Sequence, residues 1–66
     1  MRLTVNGAPR DVAGEVSVAG LVAELTAERR GTAVAVNGEV VPRSSWGTRG
    51  LREGDRVEVL TAAQGG

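Results

Sequence analysis

The stretch Met1-Arg2-Leu3-Thr4-Val5-Asn6-Gly7-Ala8-Pro9-Arg10-Asp11-Val12, with the segment Ser17-Val18-Ala19-Gly20-Leu21-Val22-Ala23-Glu24-Leu25 that follows it, decides the fold. Residues 1–5 alternate apolar and polar with period two, the pattern of a strand with one buried face. Asn6-Gly7 suits a type I′ turn, whose two central residues both need φ > 0. Residues 8–12 then run back antiparallel, with Pro9 placing the return strand at a sheet edge. From Val18 the period changes. Val18, Leu21, Val22 and Leu25 fall at i, i+3, i+4 and i+7, one stripe of a helix expected over residues near 18–29. Ser17 is the expected N-cap. Arg29 and Arg30 are expected in the last turn, where cations suit the helix dipole, with Gly31 at C′. Gly20 inside the helix suggests close approach of a neighbour.

Working outward, Ala33-Val34-Ala35-Val36 reads as a central strand, and Asn37-Gly38 repeats the hairpin signal before Val40-Val41. Pro42 keeps that return strand short and at an edge. Ser44 to Gly50 is a polar connection around Trp46, and Glu53-Gly54-Asp55 is a turn. Arg56-Val57-Glu58-Val59 is the last strand. The order is strand, strand, helix, strand, short strand, strand. One helix covers one face of one sheet, so the class is α+β in a β-grasp arrangement, a mixed sheet of four to five strands. The expected division is a domain over residues 1–60 and a flexible tail over 61–66. The inward set is Leu3, Val5, Val18, Leu21, Val22, Leu25, Val34, Val36, Val41, Trp46, Leu51, Val57 and Val59.

Composition narrows the chemistry. The 66 residues carry 8 basic side chains, all Arg, against 8 acidic ones, for a net charge of zero. No basic field recruits nucleic acid or a membrane surface. No apolar run approaches the roughly 20 residues that span a bilayer, and the cytosol is the expected compartment. His, Cys, Lys and Tyr are absent. There is therefore no thiol nucleophile, no zinc-thiolate site and no side chain titrating near neutrality in its unperturbed state. A chain this short is also expected to struggle to enclose a pocket of ~300 Å³. Chemistry involving it is expected to treat it as a substrate, carrier or subunit, with no catalytic group of its own and no bound metal.

Most notable residues have plain structural readings. Trp46 is expected in the core and Arg29-Arg30 as helix-end charge. Glu53 and Asp55 flank a glycine without the full calcium-loop spacing. Leu60 differs. Alternation puts Val57 and Val59 inward and Glu58 and Leu60 outward, so these two, just before the tail, are candidate partner-docking residues. The sequence closes Ala62-Ala63-Gln64-Gly65-Gly66. Residues without Cβ can enter a narrow channel of another protein, and the α-carboxylate of Gly66 is the one group a partner could activate.

The β-grasp order, the segment Ala35-Val36-Asn37-Gly38-Glu39-Val40-Val41-Pro42-Arg43 followed by Trp46, then Leu51-Arg52-Glu53-Gly54-Asp55, a strand and Gly65-Gly66 resemble the ThiS sulfur carrier family of thiamine biosynthesis. Gly-Gly alone is shared by ubiquitin-like proteins. Val-Pro-Arg then Trp in so short a chain favours this family over the related molybdopterin synthase small subunit, which stays as an alternative beside a non-carrier interaction module. The resemblance implies that an E1-like adenylyltransferase, holding ATP and magnesium itself, adenylates Gly66. A sulfur donor system then leaves a thiocarboxylate, and the carrier delivers it to thiazole synthase. Gly65 and Gln64 belong to the tail that must reach each partner's site.

Overall fold

The computed structural model describes residues 1–26 and 30–61. Strands β1 (Arg2–Val5) and β2 (Ala8–Asp11) form the opening hairpin. Helix α1 (Val18–Leu25) follows, then β3 (Thr32–Val36), β4 (Glu39–Val41), a 3₁₀ turn at Arg43–Ser45, and β5 (Arg56–Thr61). The sheet order is β2-β1-β5-β3-β4. β1 and β5 pair in parallel and the other neighbours antiparallel, so the sheet is mixed and the last strand of the chain lies at its centre. This is the β-grasp arrangement, with α1 on one face.

Both Asn-Gly pairs make the expected turns: φ is 51° and 82° at Asn6 and Gly7, and 52° and 86° at Asn37 and Gly38. Pro9 lies on edge strand β2 opposite Thr4, where its missing N–H faces no neighbouring strand. The expected inward residues are buried except Leu25, which only packs against the core's margin. Val12 joins the core unexpectedly. Its amide donates to the Met1 carbonyl at 2.8 Å, which carries the hairpin pairing one residue beyond β2 and turns Val12 inward.

The helix is shorter than its stripe suggests. Thr26 is its C-cap in extended conformation, φ −155° and ψ 144°, with its amide donating to the Val22 carbonyl. The last turn of α1 holds no basic residue, so the helix-dipole role expected for Arg30 does not apply. Arg30 sits in the turn before Gly31, whose φ of 73° leads into β3 rather than capping α1; Arg29 lies outside the described residues. Thr26 is β-branched and loses χ1 freedom in a helix, which makes it a natural stopping point.

The helix N-terminus draws on the far end of the chain. The Gly20 amide donates to Ser17 Oγ at 3.1 Å, as an N-cap requires. The amides of Val18 and Ala19 donate to the carbonyls of Arg49 and Trp46 at 2.9 and 3.0 Å. The connection around Trp46 thus satisfies helix donors that have no partner inside the helix. Trp46 is buried, and its Nε1 donates to the Val41 carbonyl at 2.9 Å. The close approach at Gly20 is with Val16: a Cβ there would lie 2.9 Å from Val16 Cγ2.

Candidate functional site: the outer sheet face and the end of the central strand

Strand β5 alternates as expected, with Val57 and Val59 buried and Glu58 and Leu60 exposed. It continues through Thr61, paired with Thr32. The ordered sheet thus runs one residue past the 60/61 boundary expected from the sequence. From Thr61 to Gly66 there are five residues, a reach of at most ~17 Å if extended. Gln64, Gly65 and Gly66 lie outside the described residues.

The outer face gains a residue that sequence reasoning missed. Register puts Val40 of β4 opposite Ala35 of β3, and Ala35 opposite Glu58 of β5. Leu60 lies opposite Ala33, one step along the same face. Val40 is 77% exposed and Leu60 68%, and they are the exposed large hydrophobics among the described residues. The small side chains of Ala33 and Ala35 leave the surface between them low. Val40 and Leu60 thus share the outer face of β4, β3 and β5, Val40 in the row that ends at Glu58 and Leu60 in the row beside it. The signal for Val40 was present: with Val41 inward, alternation turns Val40 outward.

The opposite end of β5 is braced by charge. The Asp55 carboxylate accepts from Asn37 Nδ2 at 3.0 Å and from the Arg52 amide at 2.8 Å. Partial burial pushes this carboxyl up. The bonds from Asn37 and Arg52, with the charges of Arg49 and Arg52, outweigh it and hold Asp55 below its ordinary range. The exposed pair Arg2–Asp11, 2.9 Å apart, lowers Asp11 through its hydrogen bond and charge.

A depression of about 870 Å³ lies among residues including Glu15, Ser17, Arg49, Arg52 and Asp55. It is an open trough, and Asp55 and Arg49 are already committed to hydrogen bonds within the protein. Among the described residues, no group of three or more acidic side chains could hold a metal ion. No helix there is long and apolar enough to cross a membrane.

The fold and its C-terminal strand therefore define a ubiquitin-like β-grasp module. The ThiS family model matches residues 3–66, and the chain belongs to that family. It is similar to the crystal structure of the thiamine biosynthesis protein ThiS from Geobacter metallireducens, with 38% identity, a TM-score of 0.84 and full coverage of both chains. A solution structure of a thiamine biosynthesis protein from the same organism shows 36% identity and a TM-score of 0.84, over 100% of this chain and 88% of that one. A thiazole synthase from Paramagnetospirillum magneticum is 35% identical over all 66 residues. The chain spans 20% of the length of that curated relative. The family expected from Val-Pro-Arg, Trp46 and Gly65-Gly66 is thus the family found.

Proposed function

We propose that this chain is a sulfur carrier of thiamine biosynthesis, a protein substrate and not an enzyme, whose reacting group is the carboxylate of Gly66. An E1-like adenylyltransferase supplies ATP and magnesium. A Gly66 carboxylate oxygen attacks the α-phosphorus, pyrophosphate leaves, and an acyl-adenylate forms. Sulfur delivered by the donor system at the sulfide level, as HS⁻, attacks the acyl carbon, the bond to AMP breaks and AMP departs, so that the loaded terminus is a thiocarboxylate. That terminus is then offered to a thiazole synthase. A carboxylate is a poor electrophile, and adenylation gives its carbon a good leaving group, which is why the carrier needs an activating partner.

The observation that carries this reading is the ThiS family match through Gly66, joined to a central strand that ends five residues before it. The thiazole synthase relative, most of whose length lies beyond the matched segment, supports that enzyme class as a partner. Leu60, Val40 and Glu58 are the proposed docking residues. The cytosol is the proposed compartment. The test is reconstitution with an E1-like adenylyltransferase, ATP and a sulfur donor, read by intact mass. Replacement of one oxygen by sulfur in the C-terminal peptide is expected. Sulfur on an internal residue, or none, would overturn the proposal.

A further inference from the structure

Strand β5 outruns β1. β1 ends at Val5, paired with Val57, whereas β5 continues to Thr61. On the β3 flank, pairing follows β5 to its end at Thr32 and Thr61. On the β1 flank the chain turns away at Asn6-Gly7. The Asn6 amide still donates to the Val57 carbonyl at 2.9 Å. Its φ of 51° then takes the main chain out of the ladder, and the side chain takes over. The Val59 amide donates to Asn6 Oδ1 at 2.9 Å, and Asn6 Nδ2 donates to the Val59 carbonyl at 3.2 Å. A carboxamide presents an acceptor and a donor as a peptide unit does, so it extends β1 by one unit where the backbone has left.

We infer that Asn6 is a positioning residue for the C-terminal segment. Its carboxamide holds Val59 in register and so sets the direction in which the chain leaves Thr61. The hold rests on the Asn6–Val59 geometry; its consequence for chemistry at Gly66 rests on the function proposed above. A terminus that must be placed in a partner's active site reacts only in a narrow range of positions, and a small misplacement at its root costs rate.

The molecule contains its own control. Asn37 precedes a glycine in the same turn type, and its Oδ1 accepts from the Arg56 amide at 2.9 Å. It braces β5 at the end remote from the C-terminal segment. Glycine tolerates φ > 0, so Asn6→Gly and Asn37→Gly each keep the turn and delete one brace.

The experiment compares these two variants by NMR and by adenylation kinetics. NMR reads amide hydrogen exchange at Val59 and the orientation of the Leu60 and Thr61 N–H vectors in an aligned medium. In Asn6→Gly, Val59 should exchange at least ~10-fold faster and the vectors should reorient. Its kcat for adenylation should fall about tenfold with KM little changed, because the docking face is intact. Asn37→Gly should leave the Leu60 and Thr61 vectors and kcat within about twofold of the wild type, and Val59 exchange unchanged once each variant's global unfolding free energy is subtracted. Unchanged Val59 exchange, or equal loss of kcat in both variants, overturns the inference. If Asn6→Gly does not fold, Asn6→Asp keeps the Oδ1 acceptor and removes the donor. Asp then sets an acceptor against the Val59 carbonyl; reoriented Leu60 and Thr61 N–H vectors with lower kcat support the inference, and the absence of either overturns it. If the wild type itself is not adenylated, the proposed function falls, and the NMR measurements alone decide whether Asn6 sets the exit.

Discussion

Asn37 and Asp55 meet across the start of the central strand, with Asn37 Nδ2 donating to Asp55 Oδ1 at 3.0 Å. The same carboxylate receives the Arg52 amide at 2.8 Å, closing the turn that feeds β5. Folding therefore favours the ionised form of Asp55, whose carboxyl lies below its ordinary value. The contribution of such a group is present above the unfolded pKa of ~3.9 and is lost as pH falls through the lower folded value. Asp55→Ala should cost about 1–2 kcal/mol near neutrality, and its difference from wild type should shrink below about pH 4. Melting curves of both proteins across acid pH check this. A difference that does not change with pH would refute the ionic part of the argument.

The indole of Trp46 ties the connection after β4 back to that strand through the Val41 carbonyl. Trp46→Phe keeps most of the apolar contact but leaves the Val41 carbonyl without the 2.9 Å bond from Nε1. It also weakens the stacking of the Arg43 guanidinium, 5.7 Å from the ring centroid. A loss of about 0.5–1.5 kcal/mol is expected, the net contribution of the lost indole hydrogen bond. Urea unfolding followed by circular dichroism measures it. No measurable cost would mean that the indole bond contributes nothing net to the fold.

Leu60 and Val40 should affect binding without affecting stability. Both are exposed, at 68% and 77%, so Leu60→Glu and Val40→Glu remove little buried surface from the fold. Each should weaken the complex with the E1-like adenylyltransferase by about 1–2 kcal/mol, with the melting temperature nearly unchanged. Calorimetric titration and thermal melts separate the two effects. Full affinity in both variants would remove the outer sheet face from the docking surface.

Gly65→Val tests the requirement for a slender terminus. A branched side chain excludes φ > 0 and widens the segment that must enter the activating site. Folding, judged by circular dichroism, should match wild type, while adenylation should fall by about 100-fold or more. Loading at the wild-type rate would show that the passage is wide and that Gly65 is not selected for its size.

Much of this architecture is legible in the chain because its signals are local. Asn-Gly dictates positive φ through two adjacent residues, and the change from period two to period 3.6 at Val18 is visible within eight residues. Alternation in β5 likewise assigns Glu58 and Leu60 to the outer face, and Ser17 announces the helix start. The stop at Thr26 is less plain, because the apolar stripe gives no sharp end. Other features were decided only when distant segments met. Carbonyls at Trp46 and Arg49 complete the helix N-terminus, Val12 turns inward against Met1, and Val40 comes to the same outer sheet face as Leu60. The bonds from Asn6 to Val59 cross 53 residues of chain. A hydrogen bond from a side chain to a backbone group carries no residue-specific mark at the backbone end, since every non-proline residue offers the same donor and acceptor. Sequence by itself determined which elements form and which faces they bury; only the tertiary structure decided which backbone groups the spare carboxamides and carbonyls would meet.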